Sequence, residues 1–188
     1  MSEGVARTIE RLLFPSNVIV LGALLLMIYL RDEPTLVNNA LSFALPLLVY
    51  GIVAYLLRRR VADENKLYFT GALSALTAFF VCRSCLELSE EIVFSAISVL
   101  VAAFVIYAIR PRWKISAHAA TLTGVCSALS LIDPIFVPLT SLLPPVIWSR
   151  LRLKAHTPLQ IVAGTAVGLL VPLAVFICLR PGWAALPP

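Results

Sequence analysis

The stretch Ile92–Ile109 reads IVFSAISVLVAAFVIYAI, 18 residues without a charge, bounded by Glu90-Glu91 before it and Arg110 after it. A helix of that length covers about 27 Å at 1.5 Å per residue, close to the hydrocarbon thickness of a bilayer, and this one is apolar on every face. Working outward in both directions, further apolar stretches occupy residues 12–30, 35–57, 67–85, 115–132, 134–148 and 157–179. Most are long enough to cross as helices, and the stretch 134–148 is short. The chain therefore predicts an all-α, polytopic transmembrane helical bundle of six to seven helices, a single integral membrane domain over residues 1–188. Its residues are 60% hydrophobic and 13% charged, with a mean hydropathy of +0.95, far from the balance of an ordinary soluble domain.

The connections between these stretches leave no room for a separate soluble domain, so any chemistry belongs to the bundle or its faces. The N-terminus carries Glu3, Arg7, Glu10 and Arg11. With no small-residue cleavage site after it, the first apolar run reads as a retained helix and not a removable signal. The Pro-rich tail Pro181–Pro188 is expected to be irregular and carries no lipidation motif. Cys82, Cys85, Cys126 and Cys178 lie in or at the ends of apolar stretches. A lone Cys82/Cys85 pair is a weak metal or redox signal, so the cysteines are expected to be small buried side chains, and neither metal nor cofactor is predicted.

Seven crossings put the N-terminus and the even-numbered connections on one side. That side holds Arg7, Arg11, Arg58, Arg59, Arg60, Lys66, Arg110, Arg112, Lys114, Arg150, Arg152 and Lys154, twelve basic residues against Arg31, Arg83 and Arg180 on the other. The positive-inside bias makes the basic face cytoplasmic in a multi-pass protein of the cell membrane. The opposite face is comparatively acidic, through Glu87, Glu90, Glu91 and Asp133. The run Arg58–Arg60 reads first as a topology anchor.

The only two histidines stand in basic segments, Arg110–His118 and Ser149–His156. His118 lies near the start of the fifth stretch and His156 at the start of the last, so a helical hairpin between them returns both to one face. The hairpin's second limb contains Pro134, Pro138, Pro144 and Pro145 and is expected to be a short, kinked crossing. A re-entrant loop there would separate the histidines. Gly164 and Gly168 form a small-xxx-small packing face on the last stretch. Lys114, His118, Arg150 and His156 together describe an oxyanion site: cationic donors hold phosphoryl oxygens, and imidazoles supply a nucleophile and a proton. The bland alternative is that a histidine at a helix end is merely interfacial and that Arg150, Arg152 and Lys154 meet lipid headgroups. Trp113 and Trp148 flank the two segments as interfacial anchors.

These residues resemble two motifs of the type 2 phosphatidic acid phosphatase superfamily, which is related to haloperoxidases. Ile115-Ser116-Ala117-His118 keeps the serine and histidine of the family's Pro-Ser-Gly-His. Ser149-Arg150, five residues, His156, three residues, Gln160 keeps the spacing of its third motif, with Gln160 where the family has aspartate. The closest likeness is to a subgroup with Lys-Ile-Ser-x-His and Ala-His-Thr-Pro-x-Gln. The first family motif, a lysine seven residues before Arg-Pro, has no counterpart, since Ala103 stands at that place before Arg110-Pro111. The cluster Arg58–Lys66 lies in the right region of the chain to supply substitute cations, and Arg60, Asp63 and Lys66 are the site candidates within it.

The resemblance implies a PAP2-like core and a membrane phosphatase acting on a lipid phosphate or polyprenyl (isoprenoid) diphosphate. In it His156 attacks phosphorus to give a phosphohistidine and His118 protonates the leaving group. Arg150 holds phosphoryl oxygens, and Gln160 orients the His156 ring. Lys114, Ser116, Ser149, Arg112, Arg152 and Lys66 are the expected phosphate-binding residues. The expected partners are that substrate and membrane lipids, and no nucleic acid. Two alternatives stand beside it: a phosphoryl or headgroup transferase on the same site, and a non-catalytic anionic-lipid binding or transport protein.

Overall fold

A computed structural model describes residues 3–61 and 64–179, apart from the side chains of Glu64, Asn65 and Tyr68. Among the described residues eight α-helices follow in order: α1 Glu3–Leu12, α2 Pro15–Tyr29, α3 Leu36–Leu57, α4 Glu64–Cys85, α5 Glu90–Ile109, α6 Ala117–Ile132, α7 Leu143–Arg152 and α8 Pro158–Leu179. A 3-10 helix, Pro134–Leu142, joins α6 to α7. The expected all-helical bundle is what forms. Three helices, α3, α5 and α8, are long and apolar enough to span a membrane, with mean hydropathies of 2.1, 2.7 and 2.5. The bent pair α1–α2 brings the number to four.

The first expected run, 12–30, is divided. Pro15 opens α2 at its first helical position, where a missing N–H is harmless, and α1 lies before the break at 51° to α2. The N-terminal charges therefore stand on a helix of their own. The prolines of 134–148 have a comparable effect: they favour the tighter 3-10 turn over a continuous α-helix, and α-helical geometry resumes only at Leu143. At about 2 Å per residue for nine residues and 1.5 Å for ten, this limb reaches roughly 33 Å if straight, enough to return along α6. The structure thus follows the kinked-limb expectation, with one correction. Ser149–Arg152, expected as loop, is the last turn of α7.

α6 is the centre of the bundle, packed against α2, α5, α8, α7 and the 3-10 helix. Its closest partner is α8. A methyl group built on Gly164 would meet the Ser116 carbonyl oxygen at 2.5 Å, and one on Gly168 would strike the Ala120 carbonyl oxygen. Only glycine permits that approach, so Gly164 and Gly168 form a true packing face between α6 and α8. Val18, Leu26, Ile92, Leu122, Val125, Cys126 and Leu129 make the main core around α6. Leu24, Leu48, Ile52, Val162 and Leu170 point outward, as lipid-facing residues do. Cys82 and Cys126 are buried as expected, whereas Cys85 and Cys178 are exposed.

Contacts at the two ends fix the alternation of the helices. At one end Tyr29 donates to Asp133 at 3.0 Å, Asn38 donates to the Glu87 carbonyl at 3.2 Å, and the Ser89 N–H donates to the buried Asn39 side chain at 3.1 Å. This is the acidic end. At the other, α1, the start of α2, the starts of α6 and α8 and the end of α7 come together, and Phe69 of α4 meets Phe104 of α5.

Candidate functional site

At the start of α6, Ser116 is the N-cap. Its hydroxyl oxygen accepts the Ala119 N–H at 3.4 Å, and the residue is fully buried. Its own N–H donates to the Gln160 carbonyl at 3.0 Å, tying the first turn of α6 to that of α8. His118 stands in this first turn. The Phe14 ring packs edge-to-face against its imidazole, with centroids 5.4 Å apart. The Nε2 of His118 is buried and has no hydrogen-bond partner among the described residues.

His156 is positioned by two local devices. α7 ends in a Schellman motif: the Ala155 N–H bonds the Arg150 carbonyl at 3.1 Å and the Lys154 N–H bonds the Leu151 carbonyl at 3.0 Å, with Lys154 at φ 49° where glycine is usual. The sharp turn sends the chain back toward Arg150. α8 then opens with a capping box. The Thr157 N–H donates to Gln160 Oε1 at 3.0 Å, the Gln160 N–H donates to Thr157 Oγ1 at 3.4 Å, and Pro158 takes the first helical position. Thr157-Pro158-Leu159-Gln160 carries this signature in the sequence, and the cap adds to the expected role of Gln160 as a partner for the imidazole.

The Nδ1 of His156 lies 3.2 Å from the Lys114 carbonyl oxygen. A carbonyl can only accept, so Nδ1 carries the ring proton in this bond and Nε2 keeps its lone pair. The orienting acceptor expected from Gln160 is thus supplied chiefly by the Lys114 backbone. The Gln160 side chain is near enough to favour the protonated ring, but its Oε1 is engaged in the cap. Burial, and then the nearby Arg150 guanidinium, hold the imidazole below its ordinary value of 6.5. The Lys114 carbonyl and Gln160 pull the other way, and the Lys114 ammonium adds to the lowering. His156 is therefore neutral at neutral pH.

Arg150 is 7% exposed and points inward from the last turn of α7, while Arg152, two residues on, is exposed. Its guanidinium forms an ion pair with Glu10 of α1, and its Nε is buried without a partner among the described residues. Beside it the fully buried Ser149 hydroxyl donates to the Ala6 carbonyl at 2.8 Å. In this structure that proton holds α1 against α7 and does not point into the group. Ser116 Oγ is an acceptor in its cap but keeps its own proton. Arg150, Glu10 and His156 all act electrostatically on His118, so the four side chains form one group.

His118, His156, Arg150 and Gln160 are thus brought together, with Lys114 close by through both its carbonyl and its charge. Lys114, Arg112 and Arg152 have exposed side chains at the same end. Lys66 is exposed near the start of α4, which packs chiefly on α3 and α5. Arg60 is exposed in the connection before α4, and Asp63, Arg180 and the tail 181–188 lie outside the described residues. Glu10, Ala6 and Phe14 escaped sequence reasoning because their partners lie more than 100 residues away. Comparison of the chain with family models, curated proteins and solved structures found no match.

Proposed function

We propose that this protein is an integral membrane phosphatase that removes a terminal phosphate, as monoester or diphosphate, from a lipid or isoprenoid substrate. The observation that carries this is the His156 hydrogen bond to the Lys114 carbonyl, which puts the ring proton on Nδ1 and the lone pair on Nε2, near a buried arginine and a second histidine. Nε2 attacks phosphorus, forming the P–N bond as the bond to the leaving oxygen breaks. A phosphate dianion bound beside His118 favours a proton on its Nε2; His118 passes that proton to the leaving oxygen, and Arg150 balances charge on the phosphoryl oxygens. Water then attacks phosphorus, giving a proton to the now neutral His118, and the P–N bond breaks to release phosphate and restore both imidazoles. A phosphate beside His118 also gives its unpartnered Nε2 an acceptor, so a proton on that nitrogen has somewhere to bind.

The likeness to the type 2 phosphatidic acid phosphatases supports the same chemistry, as do two helix N-termini that favour anions at the starts of α6 and α8. The alternation of the helices supports seven crossings, and the basic end supports a cytoplasmic site. An apolar cavity between α2, α6 and the 3-10 helix holds about 20 Å³, too small for a long tail, and the exposed apolar faces of α3 and α8 offer a lipid-facing surface for one. A non-catalytic anionic-lipid binder is the second reading, favoured by the pairing of Arg150 with Glu10.

Phosphate release from polyprenyl diphosphate, phosphatidic acid and phosphatidylglycerol phosphate by purified protein, wild type against His156→Ala, separates them. The phosphatase reading requires release that is lost in the variant. Binding without release from any substrate selects the lipid binder.

A further inference from the structure

The charge on Arg150 already has an occupant. The carboxylate of Glu10, from α1, takes the position on the guanidinium that a phosphoryl group would use, since arginine binds carboxylate and phosphate through the same fork of donors. The occupancy is incomplete, because Arg150 Nε is buried and unpartnered. An open cleft of about 360 Å³, lined by Arg7, Glu10, Arg11, Leu153 and Ala155, leads from the surface to this ion pair. The Glu10 side chain is one-third exposed, against 8% for that of Arg150. An anion arriving through the cleft therefore meets Glu10 before it meets Arg150.

The Glu10 side chain can leave Arg150 while α1 stays in place: the Ser149–Ala6 hydrogen bond and the buried Ala6 hold the helix on α7, and the Glu10 side chain is the exposed partner of the ion pair. Displacing a carboxylate from a buried guanidinium requires a ligand that supplies more negative charge than the carboxylate did, together with an additional acceptor for Nε. A terminal phosphate dianion or diphosphate meets both requirements. A phosphodiester headgroup has one charge shared over two free oxygens and does not.

We infer that Glu10 is a specificity-determining residue. It holds the anion position on Arg150 against the singly charged phosphodiester headgroups that crowd a membrane surface, and it yields to dianionic terminal phosphates received between Arg7 and Arg11. This rests on the phosphatase reading for its biological sense, but its test does not depend on turnover.

The test is calorimetric binding of inorganic phosphate and of dimethyl phosphate, a singly charged diester, to detergent-solubilised full-length protein and to Glu10→Gln, which keeps the shape and removes the charge. Wild type binds phosphate and discriminates against dimethyl phosphate. Glu10→Gln binds dimethyl phosphate at least about tenfold more tightly than wild type does, the lower end for a hydrogen bond to a charged group, and holds phosphate no less tightly. No gain for the diester, or a loss for phosphate, overturns the inference and makes Glu10 a positioning residue for Arg150. If Glu10→Gln does not fold, Glu10→Ala is read the same way, because it too removes the charge and vacates the place on Arg150. A diester gain in a protein that hydrolyses nothing leaves this inference standing and removes the phosphatase reading; turnover without the gain does the reverse.

Discussion

Gly164→Ala should part the two histidines without touching either. A Cβ on Gly164 falls 2.5 Å from the Ser116 carbonyl oxygen, 3.3 Å from its carbonyl carbon and 3.4 Å from the Ala120 nitrogen. All three are backbone atoms of the first turn of α6, so no side chain can swing aside. Restoring an ordinary carbon–oxygen contact of about 3.3 Å moves the start of α8 from α6 by roughly 0.8 Å, at an overpacking cost of about 1–3 kcal/mol. The movement stretches the 3.0 Å bond from Ser116 N–H to the Gln160 carbonyl and draws His156 away from both Lys114 and His118. A misplacement near 1 Å costs on the order of 100-fold in rate. Gly51→Ala is the control, because nothing lies within 4 Å of a Cβ there, and it should be neutral or slightly stabilising. Thermal unfolding and lipid phosphate hydrolysis, measured in the same detergent, compare the two variants. A Gly164→Ala protein as stable and as active as Gly51→Ala would refute the account of the α6–α8 contact and of its control over the site.

Lys154→Gly removes the strain of a non-glycine residue at φ 49° and should raise stability by about 1 kcal/mol, read as a higher unfolding midpoint, with the site intact. Gln160→Ala opens the capping box of α8 and should cost about 0.5–2 kcal/mol, whereas Gln160→Glu, a proper capping-box residue, should retain stability; equal losses in both would count against the cap. The pH dependence follows from the lowered proton affinity of His156. Its protonated form has no lone pair for attack, so the acid limb of kcat/KM should lie below pH 6.5. The unfolded chain takes up this proton first as pH falls, so the stability contributed by the buried neutral ring is complete above 6.5 and declines below it. Arg150→Gln, which removes a lowering charge, should move the His156 titration upward by NMR.

The bundle was legible because its signal is repetitive. Ile92–Ile109 and its counterparts carry enough apolar residues to declare helices one at a time, and the alternation of seven stretches returned His118 and His156 to a single end. The prolines of 134–148 announced a break, although not that the chain would answer it with a 3-10 helix. Gln160 serves two neighbours: it lies beside the His156 imidazole, as the resemblance implies, and Thr157, three residues earlier, holds its Oε1 in a local cap. Glu10 was not legible at all. Its pairing with Arg150 spans 140 residues and depends on α1 bending away from α2, which no local pattern encodes.

The central claim is that the Nε2 of His156 becomes bonded to phosphorus. Phosphohistidine survives alkali and is destroyed by acid, so the direct measurement is intact-mass and peptide mapping of protein mixed with a polyprenyl diphosphate or phosphatidic acid and quenched in alkaline denaturant within the first turnovers. The account predicts one phosphoryl group on the peptide containing His156, absent from His156→Ala and lost on acid treatment. Phosphate release at the wild-type rate with no label on His156, or from His156→Ala, would contradict it.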